Sequence, residues 1–154
     1  MNTPDVARLA RTLMNEHGLG HWTFQWDRAV KRLGRCSYAS RTISLSKPLA
    51  LRVGDDEIRD TILHEIAHGL VGPGHGHDRI WMAKAREIGA RPERCVKLTA
   101  EQRVPKPWVG TCPTEGCPTH VERHRLVAST RNASCGKCSG GRYDDRYKLN
   151  WRQR

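Results

Sequence analysis

His64-Glu65-Ile66-Ala67-His68 is an HExxH run. On a helix, residues four apart share one face a single turn apart, so His64 and His68 can grip one metal ion between them. Glu65, next to His64, is then placed as a base beside that ion. Zinc lowers the pKa of a bound water to about 7 and leaves a position open for substrate. A carboxylate within reach can take the proton as the water attacks a peptide carbonyl. A catalytic zinc takes three protein ligands, and the chain offers His75-Gly76-His77 after a glycine-rich turn. Spacing leaves both histidines open as third ligand, with a slight preference for His75.

A second constellation is built of cysteines. Cys112 and Cys117 form one close pair, and Cys135 and Cys138 another. Two such pairs read as a closed, structural zinc site of four thiolates, the staple a piece this small needs to fold. Cys135-Gly136-Lys137-Cys138 has the form of a metal-binding knuckle, and His120 or His124 is the substitute should one cysteine not ligate. Cys36 and Cys95 stand alone and read as small buried apolar residues. The N-terminal residues lack the unbroken apolar centre of an export signal, and no run is long enough to span a membrane. These features predict a cytoplasmic protein whose cysteines hold metal rather than form disulfides.

The elements that must carry these residues follow from periodicity. Val6, Leu9, Ala10, Leu13 and Met14 predict a helix over 3–17. WTFQW at 22–26 alternates as a strand does, and Cys36–Tyr38 and Thr42–Leu45 are further strands. Pro48 starts a short helix through Leu51. Asp55, Asp56 and Glu57 suit a helix N-terminus, and Ile58, Ile62, Ile66 and Leu70 give that helix a buried stripe. Another helix runs from Asp78 to Ile88, with Ile80, Trp81, Ala85 and Ile88 on its apolar side. VPKPW at 104–108 is a linker. The fold class is α+β: residues 1–104 form a small zincin-like core of N-terminal helix, small sheet and HExxH helix, and residues 105–154 form a β-rich zinc ribbon.

The formal charge is +11, from 27 Lys/Arg against 16 Asp/Glu. Of these, 11 cations and 5 acids lie in residues 101–154, so the tail is the more basic part per residue. That balance favours a polyanionic partner, nucleic acid before an anionic membrane surface. Arg123, His124, Arg125, Arg131, Arg142, Arg146, Lys148, Arg152 and Arg154, interleaved with Tyr143, Tyr147 and Trp151, combine phosphate-binding cations with stacking aromatics.

The run HEIAHGLVGPGHGHDRIWMA resembles the SprT-like metallopeptidases, the family that includes bacterial SprT and the eukaryotic protease Spartan. Their pattern is HExxH, a variable loop, then a His-Gly pair opening a helix with an aromatic residue soon after, matched here by His75-Gly76 and Trp81. Trp22, Phe24 and Trp26 are similar to the family's aromatic strand, and Ile43-Ser44-Leu45-Ser46 to its Ile-x-Leu-Ser strand. The resemblance implies zinc on His64, His68 and His75, catalysis by Glu65, and a C-terminal zinc ribbon. It also implies a protein substrate and DNA, single-stranded or damaged, as partner, because Spartan-type enzymes degrade proteins crosslinked to DNA. The loop from His68 to His75 is shorter than Spartan's. His77, Arg79 and Tyr38 are the residues whose types suit an oxyanion stabiliser. Two rival readings are a non-catalytic nucleic-acid-binding protein with two structural zinc ions, and a regulatory peptidase that cuts one repressor.

Overall fold

The computed structural model describes residues 1–93 and 97–154; Cys95 lies outside the described residues. The chain divides into two compact units, Met1–Val104 and Pro105–Arg154. Both combine helix and small sheet. No helix among the described residues is long and apolar enough to cross a membrane.

The first unit opens with helix α1, Thr3–Glu16, capped by the Asn2 side chain accepting from the Asp5 N–H. A side-chain oxygen there satisfies one of the amides that a helix start leaves unpaired. Strands β1 (Thr23–Asp27), β2 (Gly34–Ser37) and β3 (Thr42–Ser46) follow. They form one sheet in the order β1-β3-β2, with β1 parallel and β2 antiparallel to β3. Every residue of the central strand β3 is buried. Its Ile43 and Leu45 face the helices, and so do their partners Phe24, Trp26, Gly34 and Cys36. Ser46 Oγ caps the short helix α2, Lys47–Ala50.

Helix α3, Asp55–Val71, carries three acidic residues in its first turn, where the helix dipole is positive. Ile58, Ile62 and Ile66 are buried along one stripe, against Val6, Ala10, Leu13 and Met14 of α1 and the apolar side of the sheet. Helix α4, Arg79–Glu87, starts where the Asp78 carboxylate accepts from the Ile80 and Trp81 amides. Trp81 and Ala85 are fully buried. Ile80, expected on that apolar side, is instead 56% exposed. It precedes Trp81 by one residue and is therefore turned roughly 100° away on the helix.

The second unit is organised on strands β4 (Trp108–Thr111), β5 (His120–Arg123) and β6 (Asn150–Gln153), antiparallel in the order β5-β4-β6. A short helix α5, Ala128–Arg131, precedes the second cysteine pair. Gly110 faces Trp151 across the β4–β6 pair. A Cβ at Gly110 would stand 2.9 Å from the indole ring, so the missing side chain is what lets the ring lie across β4. We expect Gly110→Ala to cost about 1–3 kcal/mol, as overpacking does. Urea unfolding of the zinc-loaded chain reads it out, with Trp151 fluorescence as the local signal.

Candidate metal centres and the buried carboxylate

His64 and His68 leave α3 on the same face, one turn apart. The chain then turns back through Gly72, Gly74 and Gly76, all with positive φ. At Gly76, with φ of 52°, the backbone takes a left-handed step that a side chain would strain. The step sends its two neighbours in different directions. His75 goes outward, and its Nδ1 pairs with Asp78 at 3.0 Å. His77 goes inward, where its Nε2 lies 3.0 Å from His64 Nε2 and 3.2 Å from His68 Nε2. Two zinc–nitrogen bonds of about 2.0–2.1 Å at a tetrahedral angle set their nitrogens roughly 3.3 Å apart. The trio that converges as metal ligands must is therefore His64, His68 and His77. His75, expected as third ligand, is the one held by Asp78, and His77 is the histidine that meets His64 and His68.

Trp81 forms the floor of this cluster. Its ring centroid lies 4.6 Å from that of His64, 5.1 Å from His68, in a stacked arrangement, and 4.5 Å from His77. The sequence carried a signal for His77 that motif spacing passed over. Asp78 is a strong N-cap, so the residue just before it enters α4 from the same side on which Trp81 is buried. Burial and its neighbours hold the His64 imidazole down at about 3, and burial with His77 beside it holds His68 at about 4. Both rings are thus neutral and ready to ligate at ordinary pH.

Glu65 projects from α3 beneath strand β2 and is 8% exposed. A Cβ at Gly34 would stand 2.6 Å from Glu65 Oε1 and 2.7 Å from Thr61 Cγ2, so only glycine lets β2 cross the helix this closely. The Cys36 amide donates to the carboxylate, and Arg32 lies near enough to favour its charge. Burial outweighs both and raises its pKa to about 8. A dication on the adjacent histidines would favour the ionised form. Cys36 is half-buried rather than fully buried, its thiol pushed up to about 12 by burial and then by Glu65. Tyr38 donates its hydroxyl to the His68 carbonyl at 3.1 Å. Arg79 is exposed at the start of α4.

In the second unit Cys112, Cys117, Cys135 and Cys138 bring their sulfurs together. Sγ–Sγ distances are 3.8 Å for Cys112–Cys138, 3.9 Å for Cys117–Cys135 and 3.5 Å for Cys117–Cys138. Zinc–sulfur bonds of about 2.3 Å predict roughly 3.8 Å in a tetrahedron, whereas a disulfide needs about 2.05 Å. His120 lies near Glu122 instead, at 3.8 Å. Thr119, which no motif singled out, places its hydroxyl 3.3 Å from Cys117 Sγ and 3.1 Å from Cys135 Sγ. That hydroxyl and then the Cys138 amide draw Cys135 down to about 6, while Cys138 beside Cys117 is pushed up to about 12. Four adjacent sulfurs cannot all ionise without a cation among them, and they are the donor set zinc prefers.

Residues 3–101 match the model of the SprT-like family. Among similar proteins is one named Protein SprT from Pseudomonas entomophila (strain L48), 29% identical over 92 residues, covering 54% of this chain and 56% of the relative. Another of that name, from Pseudomonas aeruginosa (strain UCBPP-PA14), is 32% identical over 92 residues, covering 54% of each. The chain thus spans about half the length of the curated relatives it matches.

Two expectations follow from the first unit. His77→Ala should abolish metal binding at the histidine site while His75→Ala retains it, read from the visible spectrum of the cobalt-loaded chain. In the metal-free chain, His64 and His68 have folded pKa values below the unfolded value of 6.5. Their contribution to stability is present above pH 6.5 and is lost as pH falls through about 4 and then about 3. Denaturant midpoints of the apo chain should therefore fall on acidification below pH 6.5, and less steeply when His64 is replaced by Gln.

Proposed function

The chain belongs to the SprT-like family, and on that premise we propose that its first unit is a zinc-dependent endopeptidase. The observation that carries the reading is the meeting of His64, His68 and His77 at one point, with the buried carboxylate of Glu65 issuing from the same helix. These histidines would hold a catalytic zinc, and the four cysteines a structural one. Zinc in such a site polarises the scissile carbonyl and acidifies the attacking water.

The rest of the chemistry belongs to the protein. Glu65 takes the proton of the attacking water on a carboxylate oxygen and delivers it to the departing amine nitrogen. Strand β2 shields that carboxylate, and the Cys36 amide fixes its orientation. Trp81 packs beneath all three imidazoles and limits how far their rings can turn. Tyr38, on the His68 carbonyl, steadies the last turn of α3.

The substrate in this reading is a protein associated with or crosslinked to DNA, in the cytoplasm. The second unit supports a DNA contact. Strand register puts Trp108, Arg123 and Trp151 on one face of the ribbon sheet. Arg125, Arg131, Lys137, Arg142, Lys148 and Arg152 are exposed elsewhere on the unit, Arg152 on the opposite face of the sheet. Cations of this kind contact phosphates, and the indoles can stack on unpaired bases.

The test measures zinc per chain and cleavage of a DNA-binding protein, with and without single-stranded DNA, for the wild type and Glu65→Gln. We expect two zinc ions in both forms and DNA-stimulated cleavage that falls by about a hundredfold or more in the Gln variant. Equal inactivity of the two forms, with zinc and DNA binding intact, would make the protein a binding module instead.

A further inference from the structure

Four thiolates around one zinc carry the same charge but not the same surroundings. Cys135 is 1% exposed, and its sulfur has the Thr119 hydroxyl at 3.1 Å together with the Lys137 and Cys138 amides. Cys117 has the same hydroxyl at 3.3 Å and the Thr119 amide. Cys138 has the Thr114 hydroxyl. Among the described residues no N–H or O–H group donates to Cys112, whose sulfur meets only other sulfurs, Cys138 Sγ at 3.8 Å among them.

The difference starts in the two turns. Cys135-Gly136-Lys137-Cys138 is tight, and the amides two and three residues beyond Cys135 curl back onto that sulfur. Cys112-Pro113-Thr114-Glu115-Gly116-Cys117 is longer and begins with a proline, which has no N–H to offer. Pro113, Thr114, Glu115 and Gly116 are all exposed, so the chain next to the half-buried Cys112 stands in solvent.

A zinc-bound thiolate keeps a nucleophilic electron pair, and each hydrogen bond to the sulfur draws on that pair. Resting on the reading of these cysteines as a zinc site, we propose that Cys112 is the reactive ligand of the ribbon, the sulfur that a conjugated carbonyl electrophile takes first. The sulfur pair forms a bond to the β-carbon of the electrophile. The C=C pair shifts onto the carbonyl as an enolate, which takes a proton from water. The product is a neutral thioether, without the charge that holds zinc. Thr111, the last residue of the central strand β4, adjoins Cys112. Modification therefore unpins the end of the strand on which β5 and β6 pair, and the metal that supports the ribbon's fold is released through one sulfur.

The test treats the full zinc-loaded chain with one molar equivalent of N-ethylmaleimide. Adducts are located by peptide mass spectrometry, and zinc release is followed with a chromogenic chelator. Of the ribbon's four cysteines, Cys112 should carry about fivefold more adduct than each of the others, in step with the release of zinc. The histidine site has no thiolate to lose, and adducts on Cys36 or Cys95 should release no metal. Thr119→Val should raise the labelling of Cys117, and Thr119→Ser should leave it low. Unfolding the zinc-free chain in guanidinium should make the four label alike. First labelling at Cys117, Cys135 or Cys138, equal labelling of all four in the folded chain, or no labelling of Cys112 while zinc is bound would overturn the proposal. Failure of the zinc-site reading shows separately, because the cobalt-loaded chain would then lack the sulfur-to-cobalt charge-transfer band in the near ultraviolet.

Discussion

The burial of Trp81 is the interaction on which the first unit's site depends. The indole is fully buried between α3 and α4 and touches all three imidazoles. Removing such a side chain from a packed core typically costs about 3–5 kcal/mol. That driving force docks α4 against α3 and so brings the residue preceding the α4 cap to the HExxH face. The indole N–H finds no hydrogen-bond partner among the described residues. A buried donor left unpaired is a cost of about 1–3 kcal/mol. The fold carries that cost at the very side chain that packs against the three imidazoles.

The carboxylate is governed by a different constraint, close approach. Glu65 is kept out of water and held in one orientation. Strand β2 supplies both, because Gly34 adds no bulk over the carboxylate and Cys36 offers its amide. The same crossing leaves the other side of β2 unpaired by any strand among the described residues, so the strand that walls in the carboxylate is also the edge of the sheet.

Much of this was legible in the sequence because strong periodic signals coincide with the elements. The isoleucine stripe locates α3, and the alternation of Trp22 to Trp26 locates β1 within a residue. The cysteine pairs do meet, as two close pairs predict for a four-thiolate site. What the sequence did not disclose depended on single backbone angles or on contacts across the fold. His75 and His77 are equivalent by type and spacing, and only the left-handed step at Gly76 with the cap at Asp78 separates them. Gly34 over Glu65 and Thr119 beside Cys135 join residues far apart in the chain, where no local pattern exists. Ile80 fell on the wrong face because a nine-residue helix gives too few turns to fix its stripe.

The three histidines that meet are separated by at most 13 positions along the chain, whereas Tyr38 reaches His68 across 30. Loop-closure entropy rises with loop length, so the histidine cluster is among the less demanding long-range arrangements the unit must form. A helix, a turn and a second helix suffice to assemble it, and such local contacts form early in folding. The strand that encloses Glu65 arrives only when the sheet pairs and lies down on α3. Order of assembly thus separates the meeting of the three imidazoles from the enclosure of the carboxylate. A nascent chain can bring His64, His68 and His77 together while Glu65 is still exposed to water and unoriented.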